Sequence, residues 1–299
     1  MGSRLITIHT HKKEFRPIDN FCSKKDYLCR KLNSKQNIVN MKNLAIIGCG
    51  KLAGVIAKAH RNGLLDGYKL TSLYSRSKDK AEKIAEMAGD SCTICGSWQE
   101  IIDSKPDIIA ETASPAAMKE FAIPALQKGI SIVTLSIGAF ADNDFLGKVK
   151  EAAAESGAKV YIASGATGGF DILRAATLMG NAKAEFFNEK GPAGLKNTEA
   201  FDESLLTRQK TVFQGTATEA IAMFPTKVNV TVAASLASVG PENMNVRIQS
   251  SPYFTGDTQK VEIRNDQVRA VVDIYSATSE IAGWSVVSVL RNIISPIVF

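Results

Sequence analysis

Histidine is scarce in this 299-residue chain: only His9, His11 and His60 occur. Imidazole is the side chain whose ordinary pKa suits proton transfer near neutral pH, so most of the chain has no such group. Apolar runs long enough to span a bilayer are also missing, which argues against a transmembrane helix and a membrane partner. The opening MGSRLITIHTHKKEF lacks the apolar segment and small-residue cleavage site of a secretory signal, so a cytoplasmic location is expected. Metal-ligand clusters are lacking too. Of Cys22, Cys29, Cys49, Cys92 and Cys95, only Cys92-Thr-Ile-Cys95 has CxxC spacing, with no second pair and no nearby histidine. No metal site is expected from that pattern. It reads as two small side chains on an apolar strand, with a redox pair as the alternative, in a reducing compartment.

The net charge of +6 is not spread over the chain. Residues 1–40 carry nine of the 36 basic and three of the 30 acidic residues, which leaves 27 of each sign in the rest. The excess therefore belongs to a loose basic extension, and Met41 stands directly before the first strand pattern. An organelle-targeting arm is the alternative. No nucleic-acid recognition signature follows it, so no nucleic-acid partner is expected.

From residue 41 onward, short apolar strands alternate with helical patterns. LAIIG ends in glycine, and KLAGVIAKAHRNGLL then places Leu52, Val55, Ile56 and Ala59 on one helix face. KLTSLYS, the short TIC, DIIAETA, SIVTLS and KVYIASG read as further strands with helices between them. That alternation predicts an α/β fold: a doubly wound, Rossmann-type parallel sheet with helices on both faces, over residues 41–163. Residues 164–275 carry more β-branched alternation and read as a second α+β domain, the one left to hold a substrate. Residues 276–299 read as a C-terminal helix packing on the domains, with an apolar stripe through Ile281, Trp284, Val287 and Leu290.

Gly48-Cys49-Gly50-Lys51-Leu52-Ala53 fits GxGxxA, directly after a strand and at the start of a helix. The first glycine permits a tight turn and the second lets backbone approach a diphosphate. The small Ala53 lets helix meet sheet. Backbone N–H groups at the helix start then face the phosphates. An NAD site usually has an acid at the end of the second strand. Here Tyr74-Ser75-Arg76-Ser77-Lys78 stands there, with no carboxylate until Asp79. Ser75 and Arg76 are suited to a 2′-phosphate, so NADP is preferred and NAD remains open. The plainer reading is that Arg76 and Lys78 only solvate a helix start.

At this point the chain resembles the L-aspartate dehydrogenase family. The resemblance is carried by IIGCGKLAG, ETASPAAMKEFA, LSIGAFAD, SGATGGFDIL, VFQGTATEAIAMFPTKVNV and VLRNIISPIV. It implies a nucleotide-binding domain, a C-terminal α/β domain whose sheet builds a homodimer, and oxidation of L-aspartate to its imine with NAD or NADP. It also implies cofactor contacts at Ala113 and Ser114, at Ala139, and at Asn229, which has the donors and acceptor to orient a carboxamide. The turn with Gly165, Gly168 and Gly169, and Asp171 just beyond, corresponds to the family's turn.

The family's proposed catalytic histidine, in an N-x-H pattern, has no counterpart here. Asp257 and Gln259 occupy that segment, and glutamine cannot accept a proton. Lys190, in NEKGP, stands where the resemblance places the family's lysine, which makes it the first substitute, and burial can lower a lysine's pKa enough for acid–base work; Asp257 and Asp171 are the others. The segment Tyr275-Ser276-Ala277-Thr278-Ser279 has lost the family's lysine. Arg174, Arg208 and Lys210 are further candidates for holding substrate carboxylates. Three functions follow. The first is an NAD(P)-dependent oxidoreductase acting on a small carboxylate-bearing amino acid, or on its imine or keto form. The second is a true L-aspartate dehydrogenase with a substituted base, and the third a non-catalytic NADP-binding regulator or scaffold.

Overall fold

The computed structural model describes residues 41–299 except Asp90, Thr226 and Lys227. The basic extension expected over residues 1–40, with His9, His11, Cys22 and Cys29, lies outside the described residues.

Strands β1 (Lys42–Ile47), β2 (Tyr68–Tyr74), β3 (Thr93–Cys95), β4 (Ile108–Glu111), β5 (Ser131–Thr134) and β6 (Val160–Ile162) form one sheet. All pairs are parallel, in the order β3-β2-β1-β4-β5-β6. Helices α1 (Lys51–Arg61), α2 (Lys78–Ala88), α3 (Trp98–Asp103), α4 (Pro115–Gln127) and α5 (Asn143–Ser156) connect them. Successive side chains of a strand point to opposite faces, and β1 uses both. Leu44 and Ile46 enter one core with Ile56 and Leu70, while Ala45 and Ile47 enter another with Phe121 and Phe140. This is the doubly wound Rossmann-type sheet expected from the alternation. The strand order reverses between β1 and β4, which opens a crevice beyond their carboxyl ends.

A second sheet holds β7 (Lys183–Lys190), β8 (Lys210–Thr216), β9 (Asn245–Ser250), β10 (Asp257–Arg264) and β11 (Arg269–Ser276), in the order β11-β10-β7-β9-β8. Only β7 and β9 run parallel. Helices α6 (Phe170–Leu178), α7 (Ala217–Met223) and α8 (Asn229–Leu236) pack on one face, over Phe186, Val246, Ile248 and Val261. The opposite face carries Glu185, Phe187, Arg247 and Lys260, with the Arg247 guanidinium 4.6 Å from the Phe187 ring.

The last helix, α9 (Glu280–Ile293), returns to the first sheet and packs on α1. Its buried face is Gly283, Val286, Val287 and Leu290, whereas Ile281 and Trp284 are 36% and 43% exposed. The expected stripe is thus rotated, because glycine and not the bulky residues sets the contact. A Cβ on Gly283 would lie 2.7 Å from Val55 Cβ and 3.1 Å from the Leu52 carbonyl oxygen. Among the described residues no helix is long and apolar enough to cross a membrane.

Candidate active site

The chain leaves β1 at Ile47 and turns through Gly48, Cys49 and Gly50 into α1. Gly48 has φ +95°, and a Cβ there would meet Ala113 N at 2.5 Å. Glycine alone lets this turn lie against the loop after β4. Gly50 serves another purpose, since nothing lies within 4 Å of where its Cβ would be. It begins α1 with no side-chain cap, and the first turn of α1 contains no acid. A helix start with its N–H groups uncapped and room beside it suits a diphosphate. Gly48, Gly50, Lys51 and Leu52 therefore fit a dinucleotide, and buried Ala53 brings α1 onto the sheet. The Cys49 thiol lies 3.6 Å from the Tyr74 carbonyl oxygen. Burial, helped by Cys92, pushes its pKa up to about 12, so it is no nucleophile. Ser75 and the exposed Arg76 follow β2 directly.

Beyond the turn lies a cavity of about 390 Å³. Leu52 comes to it from α1, Leu135 and Ile137 from the chain after β5, and Asn229 and Val230 from the start of α8. Gly165 and Ala166 contribute the turn after β6. Asp257 and Gln259 come from β10, and Ser276, Thr278 and Ser279 from the end of β11 and the approach to α9. Asn229 Oδ1 accepts from the Gly138 N–H at 2.8 Å, leaving its Nδ2 donors. The Gly165 N–H donates to Ser285 Oγ at 3.0 Å, fixing that turn to α9.

The second sheet supplies the polar wall. Along its packed face Phe186, Val246, Ile248 and Val261 give way at one corner to Asn188, Lys190, Ser250 and Gln259, all buried. Strand register aligns them: Lys190 lies opposite Asp257, and Asn188 opposite Gln259. Asn188 Nδ2 donates to Asp257 Oδ1 at 2.5 Å and to the Thr258 carbonyl at 2.9 Å. Lys190 Nζ lies 3.9 Å from Asp257 Oδ2. Gln259 is 2% exposed, and its Oε1 has no hydrogen-bond partner among the described residues. Ser250 Oγ and Thr167 Oγ1 are buried in the same condition. Unsatisfied buried acceptors cost free energy, and of these only Gln259 is among the residues that line the cavity.

The residues singled out in the sequence are therefore not all in one place. Leu52, Asn229, Asp257 and Gln259 line the cavity, and Lys190 is one step behind Asp257. Asp257, Gln259 and Lys190 stand on strands, not in loops. Ala113 is exposed at the crevice, and Ser114 caps α4, its Oγ accepting from Ala117 N at 3.2 Å. Ala139 is 1% exposed with its side chain in the core, so any contact it makes runs through backbone. Asp171, Arg174 and Arg208 are exposed away from the cavity lining, and Lys210 pairs with Asp202 at 2.7 Å. His60 sits at the far end of α1, Nε2 3.1 Å from the Tyr68 carbonyl oxygen. Cys95 is buried in β3, and among the described residues no group of histidines, cysteines and carboxylates could hold a metal. Leu135, Ile137, Ala166 and Val230 were not singled out, because ordinary apolar residues carry no local sign of lining a cavity.

Comparison with known proteins gives two matches to protein families. Residues 48–163 match "Homoserine dehydrogenase, NAD binding domain", and residues 171–293 match "Aspartate dehydrogenase, C-terminal". The chain is 30% identical over 267 residues to an L-aspartate dehydrogenase of Methanococcus maripaludis, covering 86% of this chain and 98% of that one. It is 28% identical over 269 residues to an L-aspartate dehydrogenase of Methanocaldococcus jannaschii, with the same two coverages. A crystal structure of aspartate dehydrogenase from Thermotoga maritima superposes with a TM-score of 0.70 at 25% identity, covering 86% of this chain and 99% of that one.

Proposed function

The chain belongs to the L-aspartate dehydrogenase family, and from that premise we propose that it is an NAD(P)-dependent oxidoreductase that converts an imine of a small amino acid into the amine. The observation that carries the direction is the Gln259 Oε1 atom, buried at the cavity without a hydrogen-bond partner. A bound nicotinamide dinucleotide supplies or accepts the hydride. Gly48, Gly50, Lys51 and Leu52 hold its diphosphate, and Ala113, Ser114, the backbone at Ala139, and Asn229 lie along the rest of its path. Ser75 and Arg76 favour NADP over NAD, because a guanidinium pairs with a 2′-phosphate.

Amine oxidation needs a base to take a proton from nitrogen. Gln259 cannot do that, but its Oε1 accepts an N–H bond from a protonated imine and holds it in place. Orientation then supplies much of what hydride transfer needs. Asp257 also faces the cavity, and its contact with Lys190 joins it to a buried ammonium for proton exchange after reduction. The hydroxyls of Ser276, Thr278 and Ser279 are available to a substrate carboxylate. The open face of the second sheet, with Phe187, Val271 and Tyr275, is the surface for a homodimer.

The test follows NADPH oxidation with oxaloacetate plus ammonia and with a panel of keto acids plus amines, and NADP reduction with L-aspartate. The reading expects imine reduction to exceed amine oxidation by at least about tenfold for one panel member. Faster L-aspartate oxidation would identify a dehydrogenase with a substituted base. Saturable NADPH binding without turnover of any panel member would leave a non-catalytic binder.

A further inference from the structure

One buried carboxylate has no part in the chemistry above. Glu111 ends β4 in the sequence IIAE, every residue of which is buried, and Glu111 itself is 0% exposed. An acid at the end of an otherwise apolar strand is expensive unless fully hydrogen-bonded. Here it receives four hydrogen bonds. Oε1 accepts from the Ala113 N–H at 2.7 Å and from Ser136 Oγ at 2.7 Å. Oε2 accepts from Thr134 Oγ1 at 2.6 Å and from the Ser136 N–H at 3.1 Å. Burial pushes the Glu111 pKa up, and these four donors offset only part of that rise.

The donors come from the loop after β4, from the last residue of β5 and from the loop that follows it. Ala113 belongs to the loop after β4, which lies against the glycine turn: Thr112 Oγ1 donates to the Gly48 carbonyl at 2.6 Å. Ser136 belongs to the chain after β5, which gives Leu135 and Ile137 to the cavity and the Gly138 N–H to Asn229 Oδ1. One carboxylate thus connects the turn suited to a diphosphate with the amide of Asn229. Each of its oxygens faces a backbone N–H that cannot turn round. Both oxygens must accept, and a carboxamide would set an NH₂ group against one of those N–H groups.

We propose that Glu111 is a positioning residue that fixes the loops after β4 and β5 as one wall for the nicotinamide half of the cofactor. This rests on the cofactor reading above. It requires that Glu111 act on the part of the dinucleotide beyond the diphosphate and leave the adenosine end alone.

The experiment compares wild type and Glu111→Gln in the full chain by titration with NADPH, NADH and ADP, which carries adenosine and diphosphate but no nicotinamide. The emission maximum of bound NADPH is recorded as well. The expected result is NADPH binding weaker by about tenfold, the loss of one buried hydrogen bond, with ADP affinity within about twofold and a shifted emission maximum. Equal losses for NADPH and ADP, or no loss for either, would overturn the proposal. Should Glu111→Gln not fold, Ser136→Ala removes one donor and leaves the carboxylate in place. A selective two- to threefold loss for NADPH, roughly half a hydrogen bond, then supports the proposal, and unchanged NADPH binding overturns it. Wild-type protein that binds neither dinucleotide overturns the cofactor reading and this inference together. Wild type that binds NADPH alongside an unaltered variant overturns the inference alone.

Discussion

Two glycines two residues apart make different demands, and substituting each separates folding from binding. Gly48→Ala puts a Cβ 2.5 Å from Ala113 N at φ +95°, and should cost about 1–3 kcal/mol of stability. Gly50→Ala meets nothing within 4 Å. It should change stability by less than about 0.5 kcal/mol while weakening dinucleotide binding, since the added methyl lies where a diphosphate approaches. Denaturant melts and NADPH titrations of both variants check this; a Gly50→Ala protein that binds normally contradicts the diphosphate assignment. Gln259 gives a second contrast. Gln259→Leu removes an unsatisfied buried oxygen, so stability should stay level or rise by about 1 kcal/mol. Turnover should fall at least about tenfold, as a lost buried hydrogen bond implies. A variant both less stable and fully active would show that Gln259 is a structural residue. The glycine turn was readable from sequence because its requirement is local. Gln259 could be picked out only where a family pattern broke, and Glu111 was passed over although an acid in DIIAETA, at the end of an apolar strand, was the visible sign.

At the level of elements, the first sheet could be read from sequence because each strand is a short apolar run followed at once by its helix. The second could be read only as strand-like material. Its order depends on distant pairings, such as β7 with β9 and β7 with β10, which no local pattern encodes. The C-terminal helix shows the same limit in another form. Its apolar periodicity pointed to Ile281 and Trp284, yet the contact with α1 is made at Gly283, where a missing side chain permits close approach. Gly283→Ala should therefore destabilise the protein by about 1–3 kcal/mol through overpacking against Val55. It should also weaken NADPH binding, because the Leu52 carbonyl lies 3.1 Å from the new methyl and Leu52 borders the cavity. Trp284→Ala, on the exposed side of the same helix, should do neither. Thermal melts and titrations of the pair test the packing, and the reverse ranking would contradict it.

Across the described residues, four surface carboxylates, two exposed and two half-buried, are held below their ordinary range. Lys210 holds Asp202 down to about 2, and Lys119 lowers Asp142. Thr216 lowers Glu219, and Arg269 lowers Glu262. A carboxylate depressed in the folded state contributes stability above its unfolded pKa, and loses it as pH falls through the folded one. The melting temperature should therefore drop as pH falls from about 4 to about 2. The slope should shrink in high salt, because exposed pairs are screened, and also in Asp202→Asn; a flat profile over that range would contradict these pairings. The larger claim is that both sheets together build one site, with a diphosphate held at Gly50 and a substrate nitrogen held at Gln259. Titration of the folded full-length chain with NADPH, followed by its nicotinamide fluorescence, tests that claim most directly. A saturable signal that an imine-forming mixture of keto acid and amine quenches by consuming NADPH is the predicted result. A folded protein giving no saturable signal with either NADPH or NADH contradicts it.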